Sequence, residues 1–264
     1  MAVRNWFDLT TGEIASAMGR SIAILPVAAV EQHGPHLPLS TDVTIAEGYL
    51  AKLAELDAGD LDILVLPVQS IGKSDEHDAF PGTLTLTAET ALRAWGEIGR
   101  SLHRAGCGKL VIVTSHGGNS GLIDLVASDL RNLGMLAVTT AWSRFGYPPG
   151  LFPDDEIRHG IHAGAVETAL MLALKPGSVR RQAIADFEPR SVAMERDFTH
   201  LRAGRPAAFA WKAQDLHPSG AIGNATLGTR EAGLAALDHG ARAFLDLLRD
   251  LDRFHLDPPA PVRS

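Results

Sequence analysis

Apolar residues along the chain fall into short runs separated by longer amphipathic stretches. Ile22–Val27, Asp62–Val68, Lys109–Thr114 and Met135–Thr140 are short, mostly apolar runs of the kind that form strands buried on both faces. Asp42–Leu53, Ala88–Ala105 and Leu122–Leu133 carry apolar residues at helical spacing, and the last two stop at Gly106 and Gly134, where a helix C-terminus is favoured. Thr10, with Glu13 three positions later, is a capping-box pattern and predicts a short helix from Gly12 to Met18. Thr83–Thr87 alternates and predicts an edge strand. Ala141–Ile161, rich in Pro, Gly and aromatics, predicts a long loop that serves as a lid or a subunit contact. An apolar helix is expected to open at His162 and run to Leu174, and a long amphipathic one spans Arg230–Phe254. The stretch from Lys175 to Thr229 gives no periodic signal, and the Pro-rich tail after Asp257 reads as loose.

Strand–helix alternation predicts a single α/β domain over residues 1–264, with a mainly parallel β-sheet flanked by helices on both faces. In such sheets, sites lie beyond the carboxyl ends of the strands. The polar clusters Glu31–Asp42, Ser74–His77 and Ser115–Asn119 each follow a predicted strand, so they are expected to converge on one edge.

Composition narrows the class. Hydrophobic residues make up 45% of the chain, enough for a sizeable core, and the net charge of −7 argues against a nucleic-acid partner. Cys107 is the one cysteine, which rules out an intrachain disulfide and fits a reducing compartment. The N-terminus lacks an apolar signal core, and no apolar run approaches the about 20 residues of a membrane helix. The expectation is a cytoplasmic protein with no membrane partner.

The densest chemistry lies between Val30 and Asp42, where one Glu, two His and one Asp share a stretch with Gly34, Pro35 and Pro38. Glu31 and His33 are two apart, so in extended chain both side chains face the same way and can bind adjacent positions of a metal centre. Asp42 can bridge two ions with its two oxygens or cap the following helix. His116 arrives from another strand end. Carboxylate and imidazole donors without thiolate suit Zn, Mn or Fe. Gly117–Gly121 lacks the nucleotide-binding glycine patterns, and its glycines fit a backbone passing close to metal. Trp142 either walls a pocket or fills the core.

With these residues in place, the chain resembles the creatininase family of creatinine amidohydrolase-like proteins. The matching segments are Glu31–Leu39 with Thr41-Asp42, Glu76-His77 with Phe80–Thr83, Ser115–Asn119, His162–Gly164 with Glu167-Thr168, and a weaker one at Ser219–Ala225. The resemblance implies a two-metal hydrolase acting on carbon–nitrogen bonds. In it, Glu31, Asp42 and His116 would serve one divalent ion, and His33 and Asp42 the other. Creatinine-cleaving members carry a Glu two residues after the matching His, where this chain has Gly118. Glu167 is the candidate to fill that place, as ligand and catalytic residue, with a helix-start charge as its structural alternative. His162 is the candidate general acid, or else a backbone-bonded helix-start residue. Ser74, Glu76 and His77 are expected by the resemblance to contact substrate, although Glu76-His77 can simply brace a turn. His36 is expected to support the loop. Family likeness also implies a homo-oligomer, a hexamer.

The expected substrate is a small amide, cyclic or of formamide type. Two other readings stay open: a peptidase trimming a short peptide in redox-cofactor maturation, and a non-catalytic metal-bound assembly protein.

Overall fold

In the computed structural model, residues 3–256 are described. The Pro-rich tail after Asp257 lies outside them. Five parallel strands form the central sheet: β1 (Val3–Asn5), β2 (Ile22–Val27), β3 (Ile63–Val65), β4 (Lys109–Thr114) and β5 (Leu136–Ala141), in the order β1-β3-β2-β4-β5. The helices are α1 (Thr11–Ala17), α2 (Thr41–Glu55), α3 (Ala88–Arg104), α4 (Ser120–Asn132), α5 (Asp154–His159), α6 (Ala165–Leu174), α7 (Arg190–Asp197), α8 (Ala213–Leu216) and α9 (Arg230–Arg253).

Alternation along the strands divides the core in two. Ile22, Ile24, Val111 and Val113 face a layer made by α2, α6 and α9. Ala23, Leu25, Val27, Leu110 and Ile112 face α3 and α4, where Trp95 and Leu130 are buried. Both faces of β2 and β4 are therefore dry, which is why these strands read as unbroken apolar runs. The capping box of α1 is present, with the Thr10 backbone N–H donating to Glu13 Oε2 at 2.7 Å.

Several local expectations change. β1 carries too few residues to show a pattern, and it is fixed by pairing with β3 and by Arg4, which donates to Asp62 at 2.6 Å. Only Ile63–Val65 of the Asp62–Val68 run pairs as a strand. Thr83–Thr87 is not a strand: Leu84 alone bridges to Val30, and Thr85 Oγ1 instead accepts from the Ser74 backbone N–H at 2.8 Å. The stretch 141–161 is not wholly loop, since a 3-10 turn at Trp142–Phe145 and α5 break it up. The helix expected at His162 begins at Ala165, because His162 bridges to Ile222.

α6 and α9 pack closely enough that a Cβ on Gly233 would run into the Ala169 carbonyl oxygen. Helix propensity alone favours alanine over glycine by up to about 1 kcal/mol. Overpacking costs about 1–3 kcal/mol, so packing wins. Gly233→Ala is accordingly expected to lower the urea midpoint. A raised midpoint would show that the helices part at little cost.

Candidate metal centre

Every element of the site sits at the carboxyl edge of the sheet. β2 runs into the loop that carries Glu31 and His33 and on to α2, whose first turn holds Asp42. The segment after β3 carries Ser74, Glu76 and His77, and β4 leads directly to His116. Asn119 ties these loops together. It accepts from the Lys73 backbone N–H at 3.0 Å and donates to the Ala28 carbonyl at 3.0 Å.

Asp42 is not a helix cap. Its Oδ1 is 3.3 Å from His33 Nε2, and its Oδ2 is 3.5 Å from His116 Nδ1. Glu31 Oε1 lies 3.1 Å from His116 Nδ1 and 3.6 Å from His162 Nδ1, while Glu31 Oε2 accepts from Ser74 Oγ. Glu167 Oε2 is 3.7 Å from His33 Nε2 and accepts from the Ala163 backbone N–H at 2.5 Å. Ala163 takes a left-handed φ of 54°, which aims that N–H at the carboxylate.

All of these groups but the half-buried Glu167 are buried, and burial works against charge. Even so, His116, His162 and His77 hold Glu31 well below the usual carboxylate range. Asp42, Glu167 and Glu31 overcome burial to raise His33 to about 9. Burial and the like charge of Glu31 push Asp42 up, and burial raises Glu167 to about 7. Burial and the neighbouring imidazoles hold His77 down to about 4 and keep His162 well below the ordinary histidine value.

The cluster fits metal on an observation of its own. Glu31 Oε1, His33 Nε2 and Asp42 Oδ2 are buried without a hydrogen-bond partner among the described residues, a costly state unless cations fill it. Donor atoms of Glu31, Asp42 and His116 lie within 4.8 Å of one another, and so do those of His33, Asp42 and Glu167. The two groups share Asp42, so the set offers two adjoining three-donor places for divalent metal ions. A third grouping, Glu31 with His33 and His162, overlaps both.

The remaining sequence candidates fall around this cluster. His162 Nε2 donates to the Gln32 carbonyl at 2.7 Å, which leaves Nδ1 facing Glu31. Glu76 is 3.3 Å from His116 Nε2, and a Cβ on Gly118 would run into both of those side chains. His36 turns away to Thr168 Oγ1 at 2.9 Å and stacks on Phe187, which ties the loop to α6. Trp142 fills both of its proposed roles: it stacks on Tyr49 at 4.5 Å in the core and also lines a cavity.

Sequence reasoning missed Gln32 and Glu156. Gln32 approaches His77 Nδ1 at 2.6 Å and donates to the Gly220 carbonyl at 3.1 Å. Glu156 is buried, and its oxygens accept from the backbone N–H groups of Ala165 and Asn224 at 2.7 and 2.8 Å, which clamps the His162–Gly164 turn. Glu156 sits among charged neighbours in a surface-like run, and nothing local marks it. Gln32, between Glu31 and His33, could have been suspected from its place.

Two cavities meet at the cluster. The smaller, about 220 Å³, is walled by Glu31, His77, His162 and Trp211. The larger, about 420 Å³, is walled by Tyr49, Trp142 and Tyr147. Both touch Ser115, His116, Ile161 and Glu167.

Comparison with known proteins agrees with this arrangement. The family model described as creatinine amidohydrolase matches residues 7–248. The creatinine amidohydrolase of Pseudomonas putida is 29% identical over 255 residues, spanning 90% of this chain and 92% of that protein. A protein of Mycobacterium tuberculosis named mycofactocin precursor peptide peptidase is 35% identical over 185 residues, 65% of this chain and 68% of that one. A crystal structure of creatinine amidohydrolase superposes with a TM-score of 0.77 at 26% identity, covering 98% of this chain and 99% of the other. A structure described as "Creatininase Mn" gives a TM-score of 0.74 at 25% identity, over 94% of this chain and 98% of the other. A further creatininase structure, a mutant, is described as of Zn-Zn type. With a sheet, a donor set and a family model that agree over nearly its whole length, this chain belongs to the creatininase family.

Proposed function

We propose that the whole chain works as one amidohydrolase domain that hydrolyses a non-peptide C–N bond in a small substrate, a cyclic amide or a formamide. The observation that carries this reading is Asp42, whose two oxygens approach His33 and His116 separately and so join two three-donor groups. Two divalent ions held there would lower the pKa of a water and polarise the amide carbonyl.

The chain's own residues supply the rest. Ser74 donates to Glu31 Oε2 and so fixes that carboxylate with Oε1 turned to the cluster. His33 Nδ1 lies 3.1 Å from the Glu31 carbonyl, an arrangement in which Nδ1–H donates and the Nε2 lone pair faces Asp42 and Glu167. Glu167 completes the His33–Asp42 group in place of an acid at position 118. Position 118 has no room for one, because Glu76 and His116 occupy the space.

His162 is the proton carrier. Burial keeps it neutral, and its Nε2–H is committed to the Gln32 carbonyl, so Nδ1 is the free acceptor. Nδ1 takes the proton that the attacking water loses and passes it to the amide nitrogen as the C–N bond breaks. The products are a carboxylate and an amine, with the atoms of one water divided between them. Ser74, Glu76, His77 and Trp142 line or brace the space in which the substrate sits.

A second reading is the trimming of a short peptide. Two cavities at the cluster leave room on both sides of a scissile bond, and the M. tuberculosis relative carries a peptidase name. Turnover of lactams and formamides against short peptides separates the two. Faster cleavage of the peptides would favour trimming.

The chain is also proposed to assemble as a homo-oligomer, a hexamer. Apolar side chains such as Leu125, Phe198 and Leu84 are exposed on its surface. Light scattering should then give a multiple of the chain mass, and a monomer at micromolar concentration would contradict this.

His162→Ala should lower kcat by about 10²–10⁴-fold with two ions still bound. Loss of an ion in that variant would make His162 a ligand instead. Gly118→Ala should weaken metal binding by about 10–100-fold, since its Cβ displaces His116 or Glu76. Competition against a chelator reads that change, and unaltered affinity would mean the two side chains can move aside freely.

A further inference from the structure

We propose that the larger cavity is a subsite for a carboxylate on the substrate, anchored by Arg144. This deepens the amidohydrolase reading and rests on it.

Among the described residues, Arg144 is the one Arg or Lys lining the cavity of about 420 Å³. It makes no hydrogen bond or ion pair among the described residues. Arg131 is also without a hydrogen bond or ion pair among the described residues but does not line this cavity, and Arg158 holds Glu195 at 3.0 Å. A free guanidinium beside a cavity matches a carboxylate in two parallel hydrogen bonds, a geometry that an ammonium does not reproduce.

Two more polar groups on the cavity wall lack partners. Ser115 Oγ and Trp142 Nε1 are buried without a hydrogen bond among the described residues, and Trp142 is only 3% exposed. Both atoms are closed to water, so the polar group that the cavity opens to a ligand is the Arg144 guanidinium. The rest of the wall is mostly apolar, with Tyr49, Tyr147, Ile157, Val166 and Leu170.

The cavity is therefore polarised. Glu167 and His116 stand at the end shared with the metal cluster, and Arg144 supplies the opposite charge on a separate turn after β5. An anionic amide is oriented by this, with its scissile bond at the cluster and its carboxylate at Arg144. The substrate class is an amide of an apolar, amino-acid-like acid. A neutral compact lactam would leave Arg144 unused.

Calorimetry on the zinc-loaded protein tests this without requiring turnover. The probes are 3-phenylpropanoate and its neutral counterpart, 3-phenylpropan-1-ol. The carboxylate should bind about 10-fold or more tightly than the alcohol to the wild type. Arg144→Gln should erase that difference, and Arg144→Lys should retain part of it. Arg144 is exposed, so neither change threatens folding. Equal binding of the two probes to the wild type, or a carboxylate preference that survives Arg144→Gln, overturns the subsite. The second result would place the carboxylate on the metals. A preference that depends on Arg144, in a protein that hydrolyses no amide, would leave the subsite standing and remove the hydrolase reading.

Discussion

The structure depends on gathering two buried carboxylates, a half-buried third and several imidazoles in one place at the end of a dry sheet. Glu31 and Asp42 are almost wholly excluded from water, and so are His33 and His116. A buried charge without a partner costs several kcal/mol. Here each carboxylate is answered by an imidazole between 3.1 and 3.7 Å away. The compensation is incomplete, because three acceptor or donor atoms at the centre still lack partners. Divalent cations bound there would complete it, which would link metal binding to the stability of this edge of the sheet.

The surrounding backbone exists to hold that cluster still. Gly34 takes φ 64° and leaves no room for a Cβ against Ala221, so the segment matched weakly near residue 220 packs directly on the first loop. Gly220 offers its carbonyl to Gln32, which in turn reaches His77 and His162. Glu156 pins the strained turn at Ala163 from behind. The buried side chains of Gln32 and Glu156 thus tie separate stretches together, largely through hydrogen bonds to backbone groups. Such a framework suits a site whose donor atoms must stay in place.

Much of this was legible in the sequence, for physical reasons. β2 and β4 are apolar on both faces, and α3, α4 and α9 are amphipathic over many turns, so their patterns are strong. The convergence of Glu31, His33, Asp42 and His116 followed from their shared position after strands. The illegible parts are short or depend on distant contacts. β1 has three residues, and its pairing with β3 cannot be seen locally. Leu84 looked like part of a strand because Thr alternates around it, but Thr85 bonds the Ser74 backbone, Thr83 accepts from the Gln32 backbone N–H and Thr87 caps α3. Ile222 meets His162 from within the aperiodic stretch after Leu174, sixty residues along the chain, and Glu156 acts through that meeting. Arg144 shows its isolation only when its neighbours are seen in space.

The central claim is that Asp42 joins two ions, one completed by Glu31 and His116 and the other by His33 and Glu167. Anomalous diffraction from metal-loaded crystals, collected on both sides of the metal edge, tests it most directly. The account predicts two peaks bridged by the Asp42 carboxylate, with Glu167 bound to the ion beside His33. A single peak, or a second ion that leaves Glu167 unbound, would contradict it.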